Sequence, residues 1–348
     1  MPDNLDHYIT STADWRKALR QNNSRTVIVI LLFFCIYCAI GLLVDMYLYS
    51  ATYPQLSLGQ LFYGLITFQL LPIATIIMLV IAAVSLLVSY SLYDKLMLLG
   101  TEYHEITPTT ARNIKEKQLY NVVEEMKVAA GLRYMPRVFI IKADYMNAFA
   151  SGYSEKSALV AITNGLIEKL NRDELQAVMA HELSHIRHLD IKLTLTASLL
   201  ANLTLIVLDV LFYNAIFSRR NNRSRDLLST IIIILRYLLP IISILLLLYL
   251  SRTRELMADA GSVELMRTNQ PLASALLKIN DDYTQNRDKY STIHQQTAHE
   301  QIRREAYIYD PLQADIHAMH SISDLFSTHP SLAVRLAALG YKKEKTRD

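Results

Sequence analysis

The sequence predicts a mostly α-helical integral membrane protein with about four transmembrane helices and a small β-sheet in its polar part. Three observations lead there. The chain of 348 residues is 52% hydrophobic, and its mean hydropathy of +0.19 is high for a water-soluble domain. Its apolar residues are gathered into blocks at roughly 27–49, 68–91, 193–217 and 227–250, each near the ~20 residues that cross a bilayer. The polar stretches between and after them alternate helical with strand periodicity.

The first block, "VIVILLFFCIYCAIGLLVDMYLY", follows a polar tail, which argues against a cleavable secretory signal. Cys35 and Cys38 both fall in this block. Two thiols alone make neither a disulfide framework nor a four-ligand zinc site, so they read as small packing residues compatible with a reducing compartment. Asp45, near the far end of the block, is expected to reach the interface. Arg236 lies well inside the fourth block, where a guanidinium is costly unless it faces protein or water.

Lys and Arg near the spans set the expected orientation. The N-terminal tail carries Arg16, Lys17, Arg20 and Arg25, the 50–60 loop carries none, and Lys95, Arg112, Lys115 and Lys117 follow the second block. Both termini and the 92–192 segment are therefore expected in the cytoplasm. The loop "SRRNNRSRD", with Arg219, Arg220, Arg223 and Arg225, falls on the outside and breaks the rule; full crossing by the last two blocks is still expected from their apolar length. A net charge of +3 gives no basic surface that would argue for nucleic acid.

In the polar segment, "EKQLYNVVEEMKVAAG" spaces Leu119, Val123, Met126 and Ala130 as a helix, with Gly131 as its stop. "RVFIIKA" and "ALVAIT" read as strands, with "MNAFASG" between them. Asn171 with Glu174 three residues on forms a capping box that opens the next helix. "SRTRELMADAGSVELMR" and "PLASALLKI" are expected helical. Residues 281–318 read as polar and irregular, with His294, His299 and His317 solvated.

The capped helix carries "AVMAHELSHIRHLD". Positions i and i+4 share a helix face, so His181 and His185 are able to give one imidazole each to a single zinc ion. Glu182, adjacent to them, is placed to act as general base on a water there. A catalytic zinc takes three protein ligands and keeps one position open. The third histidine of the pattern H-E-x-x-H-x-x-G-x-x-H is absent, because position 188 is His and 191 is Ile. "SRTRELMAD" offers Glu255 instead, with Asp259 one turn later to accept a hydrogen bond from a ligand imidazole. His188 is read as a surface residue or as support for the ligands.

With "MNAFASG", "AHELSHIRHLD", "SRTRELMADAG" and "LFSTHPSLAVRLAAL" in this order and separated by apolar blocks, the chain resembles the HtpX-type membrane zinc metallopeptidases, relatives of the CaaX prenyl proteases. The resemblance runs from about 115 to 340. It implies one Zn2+ per chain on His181, His185 and Glu255, with Glu182 as catalytic base in a zincin-like (gluzincin) domain. It further implies an edge strand at Asn147, Ala148, Phe149 and Ala150 that pairs with substrate, Asp190 as an acidic residue after the zinc helix, and His329 with Arg335 near the metal. A cationic donor at that place would stabilise the oxyanion formed as water attacks a peptide carbonyl. At 188 the family commonly has Asn.

The expected domains are a cytoplasmic tail (1–26), a transmembrane hairpin (27–91), a first catalytic part with the zinc helix (92–192), a second hairpin (193–250) and a second catalytic part (251–348). The resemblance implies a multi-pass protein of the bacterial cytoplasmic (inner) membrane, cleaving misfolded or damaged membrane proteins or unfolded polypeptide on the cytoplasmic side. His185 stands eight residues before the third block, about 12 Å along a helix, and Glu255 five residues after Leu250, so the site is expected near the membrane face. The rivals are a prenyl-protein-type peptidase, for which four apolar blocks are few, and an idle zinc-holding membrane scaffold. The sequence sets no oligomeric state.

Overall fold

The computed structural model describes residues 5, 8–10, 14–217, 223–296, 306–309 and 329–343. The chain divides into two compact units. One comprises Val27–Ser89 and Leu193–Leu247, the other Met1–Thr26, Tyr90–Lys192 and Leu248–Asp348. Among the described residues, four helices are long and apolar enough to cross a membrane.

The apolar unit is built on four long helices: α1 (Trp15–Thr52), α3 (Ile73–Leu98), α7 (Asp190–Phe217) and α8 (Arg223–Met266). Helix α1 is continuous over 38 residues, so the basic tail residues from Arg16 to Arg25 continue the helix rather than preceding it. The stretch read as a plain loop after α1 contains a short helix, α2 (Leu58–Ile66), opened by a capping box in which Ser57 and Gln60 satisfy each other's amides. Leu61 and Leu65 are its buried anchors.

Asp45 is held by protein rather than left to solvent. It is 1% exposed, and its carboxylate accepts from the Ala74 amide at 2.8 Å, the Thr75 amide at 3.0 Å and the Thr75 hydroxyl at 2.7 Å. The first amides of a helix lack partners within the helix, and Asp45 supplies them to α3 from a neighbouring helix. Gly41 permits the approach, since a Cβ there would stand 2.9 Å from Thr75 Oγ1. The Tyr37 hydroxyl donates to the Met78 carbonyl at 2.6 Å on the same seam.

Arg236 is not left alone in its span: it forms an ion pair with Asp209 of α7. Pro240, inside α8, lacks the amide that would normally bond the Arg236 carbonyl. Tyr47, Leu211, Ala215, Leu228 and Ile232 pack into an apolar cluster of this unit. Cys35 and Cys38 are free thiols. Arg219 and Arg220 lie outside the described residues, and Arg223 and Arg225 fall in the first turn of α8.

The polar unit holds a four-stranded sheet of β2 (Tyr103–Ile106), β3 (Arg137–Ile141), β4 (Ala148–Ser151) and β5 (Leu159–Thr163), in the order β2-β3-β5-β4. Strands β3 and β5 run parallel, and β2 and β4 lie antiparallel at the two edges. Parallel strands buried on both faces are expected to read as continuous apolar runs, which is what "VFII" and "LVAI" are. A separate ribbon pairs β1 (Tyr8–Thr10) with β6 (Tyr341–Lys343).

Helices α4 (Ile114–Ala129), α5 (Asn164–Lys169), α6 (Arg172–Arg187), α9 (Gln270–Gln285), α10 (Arg287–Gln296) and α11 (Leu332–Ala338) complete the unit. Its core runs through Leu119, Val123, Phe139, Phe149, Ile162, Val178, Leu183, Leu276 and Tyr283. The stretch 281–296, expected irregular, is helical: Tyr283 and Tyr290 point inward and are 1% and 2% exposed. His294 is not solvated as expected, because its ring packs 4.6 Å from that of Tyr145 and stacks on Tyr283. His299 and His317 lie outside the described residues.

Replacing Asp45 by Ala strips three hydrogen bonds from the start of α3 and leaves two part-buried amides unpaired. It should destabilise the protein by about 1–3 kcal/mol, with Asp45→Asn losing less. Detergent-titrated unfolding measures this; equal midpoints for Asp45→Ala and wild type would remove the cap from the account.

Candidate metal centre

The helix that carries His181 and His185 is held at both ends. At its start, Asn171 Oδ1 accepts from the Glu174 amide at 2.9 Å, and Glu174 Oε2 accepts from the Asn171 amide at 3.0 Å. The same Glu174 carboxylate accepts from Ser274 and Lys278 of α9 at 2.6 and 2.8 Å, so the cap also docks α6 on its neighbour. At its end, His188 is the C-cap, its Nδ1 2.8 Å from the Ser184 carbonyl. It stands away from the ligand group and closes the helix. Leu189 follows with φ +53°, a left-handed conformation uncommon for a bulky side chain, and the turn delivers Asp190 beneath His185.

Helix α8 crosses α6 at very close range. A Cβ on Gly261 would stand 2.1 Å from Ser184 Oγ and 2.8 Å from its Cβ. One residue on, Ser262 donates to the Ala177 carbonyl at 2.8 Å. Only a glycine allows this crossing, which brings Glu255, two turns earlier on α8, against the face of α6 that carries the histidines.

His181, His185 and Glu255 are the three-residue group among the described residues whose ligand atoms cluster, all within 4.8 Å of one another. His185 Nε2 lies 3.2 Å from His181 Nε2, while Glu255 oxygens lie 3.6 Å from His181 Nε2 and 3.5 Å from His185 Nε2. Ligands of a tetrahedral zinc at ~2.0–2.1 Å are separated by about 3.3 Å, so the donor set fits that ion in type and in spacing. Glu255 Oε2 is buried without a hydrogen bond among the described residues, as suits a ligand atom.

Each imidazole is turned by a carboxylate on its other nitrogen. His181 Nδ1 stands 3.0 Å from Asp259 Oδ1, and His185 Nδ1 is 2.7 Å from Asp190 Oδ2. Each carboxylate is backed by an arginine. Arg335 of α11 grips Asp259 through Nε at 2.9 Å and Nη2 at 2.6 Å, and Arg254 Nη2 lies 3.0 Å from Asp190 Oδ2. Such partners fix ring orientation and leave Nε2 for a metal. The sequence alone gives no role to Arg254 or to Gly261; the one signal for Arg254 is its place next to Glu255, within the helix that also carries Asp259.

Burial dominates the titration of these groups. It presses His181 toward the neutral ring, but the Asp259 and Glu255 carboxylates outweigh it and raise the pKa to about 9. At His185 burial prevails and the pKa falls well below the ordinary value. Burial lifts the Glu182 carboxyl to about 8, against the opposing charge of His181. Neither Glu182 oxygen makes a full hydrogen bond among the described residues, although the Ala150 amide lies near enough to favour its anion. A divalent cation on the three ligands would take the place of the His181 proton and favour ionised Glu182.

His329 and Arg335 also reach this cluster. His329 Nε2 and Arg335 Nη1 each stand 3.9 Å from a Glu255 oxygen, and both residues are 2% exposed. Arg335 Nη1 donates to the Ile308 carbonyl at 2.5 Å. The expected substrate strand is β4, an edge of the sheet, and it covers Ala148, Phe149 and Ala150. Asn147 precedes it: its amide donates to Thr163 Oγ1 at 2.9 Å and its Oδ1 accepts from the Ala148 amide at 3.1 Å.

A His–Glu–x–x–His helix with a carboxylate from a second helix as the third donor is the layout of a metal-dependent hydrolase. Comparison with known proteins narrows the class. Residues 113–343 match peptidase family M48. The chain is 40% identical over 326 residues to a "Protease HtpX homolog" of Helicobacter pylori strain J99, covering 94% of this chain and 98% of that one. It is 31% identical over 328 residues to a protein of the same name from Streptococcus agalactiae serotype III strain NEM316, covering 92% and 97%. Among solved structures, S. mikatae Ste24p matches with a TM-score of 0.49 at 18% identity, over 91% of this chain and 66% of that one; a likeness at that level carries no argument about function. The chain belongs to peptidase family M48, and it is a membrane metalloprotease.

The Gly261 crossing gives a test of how the ligands are held. Gly261→Ala should weaken zinc binding by about 10–100-fold, the cost typical of disturbing what supports a ligand, and adding Ser184→Gly should restore part of it. Competition with a chromogenic chelator reads both variants; unchanged affinity in Gly261→Ala would mean that the helices part without moving the ligands.

Proposed function

We propose that the protein is a zinc endopeptidase that cuts misfolded or unfolded polypeptide, membrane proteins above all, next to the cytoplasmic face of the bacterial inner membrane. The observation that carries the zinc assignment is the spacing of the three donor atoms, with both imidazoles turned so that Nε2 converges on one point. Zinc held by His181, His185 and Glu255 supplies a Lewis acid. The remaining chemistry belongs to the chain. Glu182 takes the proton of the attacking water and passes it to the leaving amine, completing hydrolysis with no proton lost. Asp259 and Asp190 hold the ligand rings in register, backed by Arg335 and Arg254. Arg335 Nη1 and His329 offer donors to the carbonyl oxygen as it becomes an oxyanion. Backbone groups of β4 bind substrate as an added strand, a mode that takes extended and therefore unfolded peptide.

The place of Glu255, five residues after the apolar run that ends at Leu250, supports membrane-proximal substrates. A carboxylate at Glu182, buried beside the three donors with neither oxygen fully hydrogen-bonded among the described residues, favours an active peptidase over an idle scaffold.

Two experiments test this reading. Glu182→Gln should keep about one zinc per chain and lose casein cleavage, because the base is removed and the ligands stay. Metal analysis beside a cleavage assay reads both, and near-normal turnover in the variant would end the mechanism. For orientation, single cysteines at Gln55 and at Asn222, in a chain lacking Cys35 and Cys38, should both react with an impermeant maleimide on intact cells. Reaction at 55 alone would sink the four-crossing arrangement.

A further inference from the structure

We infer that Tyr307–Tyr309 is a pseudosubstrate carried by the chain itself: it occupies the outer edge of β4 and has to leave before a substrate strand can pair there. The inference rests on the reading above that β4 receives substrate.

In an antiparallel pair, alternate residues turn both backbone groups toward the partner strand. The Thr163 amide bonds the Asn147 carbonyl at 3.0 Å, and Phe149 is paired with Ala161 and Ser151 with Leu159. Ala148 and Ala150 therefore present their backbone groups to the free side of the sheet, where an added strand would bond. Both Ala148 groups are taken: its carbonyl accepts from the Ile308 amide at 2.9 Å, and its amide donates to Asn147 Oδ1 at 3.1 Å.

The two following carbonyls of the segment are held by buried side chains of the site. Arg335 Nη1 donates to the Ile308 carbonyl at 2.5 Å, and Asn147 Nδ2 donates to the Tyr309 carbonyl at 3.0 Å. The same Nη1 stands 3.9 Å from Glu255. The guanidinium assigned to a scissile carbonyl thus already serves a peptide carbonyl, one supplied in cis.

Side-chain recognition completes the likeness. Tyr307 is 1% exposed. Its ring packs against Phe149, Tyr145 and His294 at centroid distances of 5.9, 6.4 and 6.4 Å, and its hydroxyl is 3.2 Å from that of Tyr145. The segment is a turn followed by bends rather than a strand, yet a backbone amide on the edge of β4, two captured carbonyls and one seated aromatic side chain claim the groups that an added peptide strand would need. The pocket that holds Tyr307 is accordingly the one that would select an aromatic residue in a substrate.

The test uses the full chain in detergent, loaded with zinc. Ile308→Pro removes the amide donor, and Tyr307→Ala empties the pocket. Each should raise kcat/KM for a casein-derived fluorogenic peptide on the order of tenfold, the factor that one lost hydrogen bond is worth, through a lower KM with kcat unchanged. Either variant with full zinc content and unchanged or lower kcat/KM overturns the proposal. Should the variants fail to hold zinc, hydrogen exchange on the wild-type chain decides. Acetyl-Tyr-Ile-hydroxamate, at a concentration that stops casein cleavage, should release the exchange protection of residues 306–309. Protection that persists with the inhibitor bound overturns the proposal and leaves the peptidase reading intact, whereas a zinc-loaded wild type that never cleaves casein overturns the peptidase reading first.

Discussion

The polar unit depends on one constraint: two imidazoles are taken out of water with a carboxylate against each Nδ1, and their Nε2 atoms face each other and Glu255. A buried imidazole rotates and changes tautomer unless something fixes its other nitrogen. Asp259 and Asp190 do that, yet a carboxylate taken out of water is itself costly unless it is paired and fully bonded. Arg335 and Arg254 meet that second demand. The result is a pair of relays, ring to carboxylate to guanidinium, and each relay ties together parts of the chain distant in sequence. One joins α6 to α8 and α11; the other joins α6 to the turn at Leu189 and the start of the ligand-bearing part of α8. Half of such a network would be worse than none, which is why the surrounding structure is so exacting at Glu174, Gly261 and Leu189.

The apolar unit answers the same demand in a setting with fewer partners. A carboxylate on α1 has nothing but neighbouring helices to bond with, and Asp45 finds the unpaired amides at the head of α3. That converts a liability into a joint: the carboxylate takes up three donors at the head of α3, and so fixes where α3 begins. Arg236 and Asp209 make the complementary solution, pairing opposite charges from two spans. Intramembrane charges that pair with each other carry a far smaller penalty than isolated ones.

The legible parts of the sequence were those where local chemistry decides. Apolar length announced the four long helices, the Asn171–Glu174 box announced the start of α6, and the two apolar runs announced β3 and β5. The grouping of His181, His185 and Glu255 was legible as a hypothesis because i, i+4 spacing on a helix fixes a face. What stayed hidden depends on partners far along the chain. Nothing near Asp45 says that Ala74 and Thr75 need a cap. Nothing around Gly261 shows that Ser184 lies against it. The helix over 287–296 has a polar surface and few apolar positions, and its fold rests on burying Tyr290 and stacking His294 against tyrosines that come from elsewhere. Arg254 looks like one more charge in "SRTRELMAD" until Asp190 is brought beside it.

Arg335 shows why the distant partners matter to function as well as to folding. Three of its donors are spent on two acceptors of different kinds. Nε and Nη2 make the paired, planar contact with Asp259 that a guanidinium fits and an ammonium does not, so the residue is locked in place before any peptide arrives. Nη1, on the opposite side of that lock, is left pointing at a backbone carbonyl. Orientation of this kind costs nothing at the moment of reaction, because the folding of α8 and α11 has already fixed it. The carbonyl now in reach belongs to Ile308, so the same rigid donor that would serve an attacked peptide also stabilises the segment lying in its way. A site organised this firmly does not distinguish its own backbone from that of a substrate except by which one is present at the edge of β4, and competition between the two is then a property of the architecture rather than an added device.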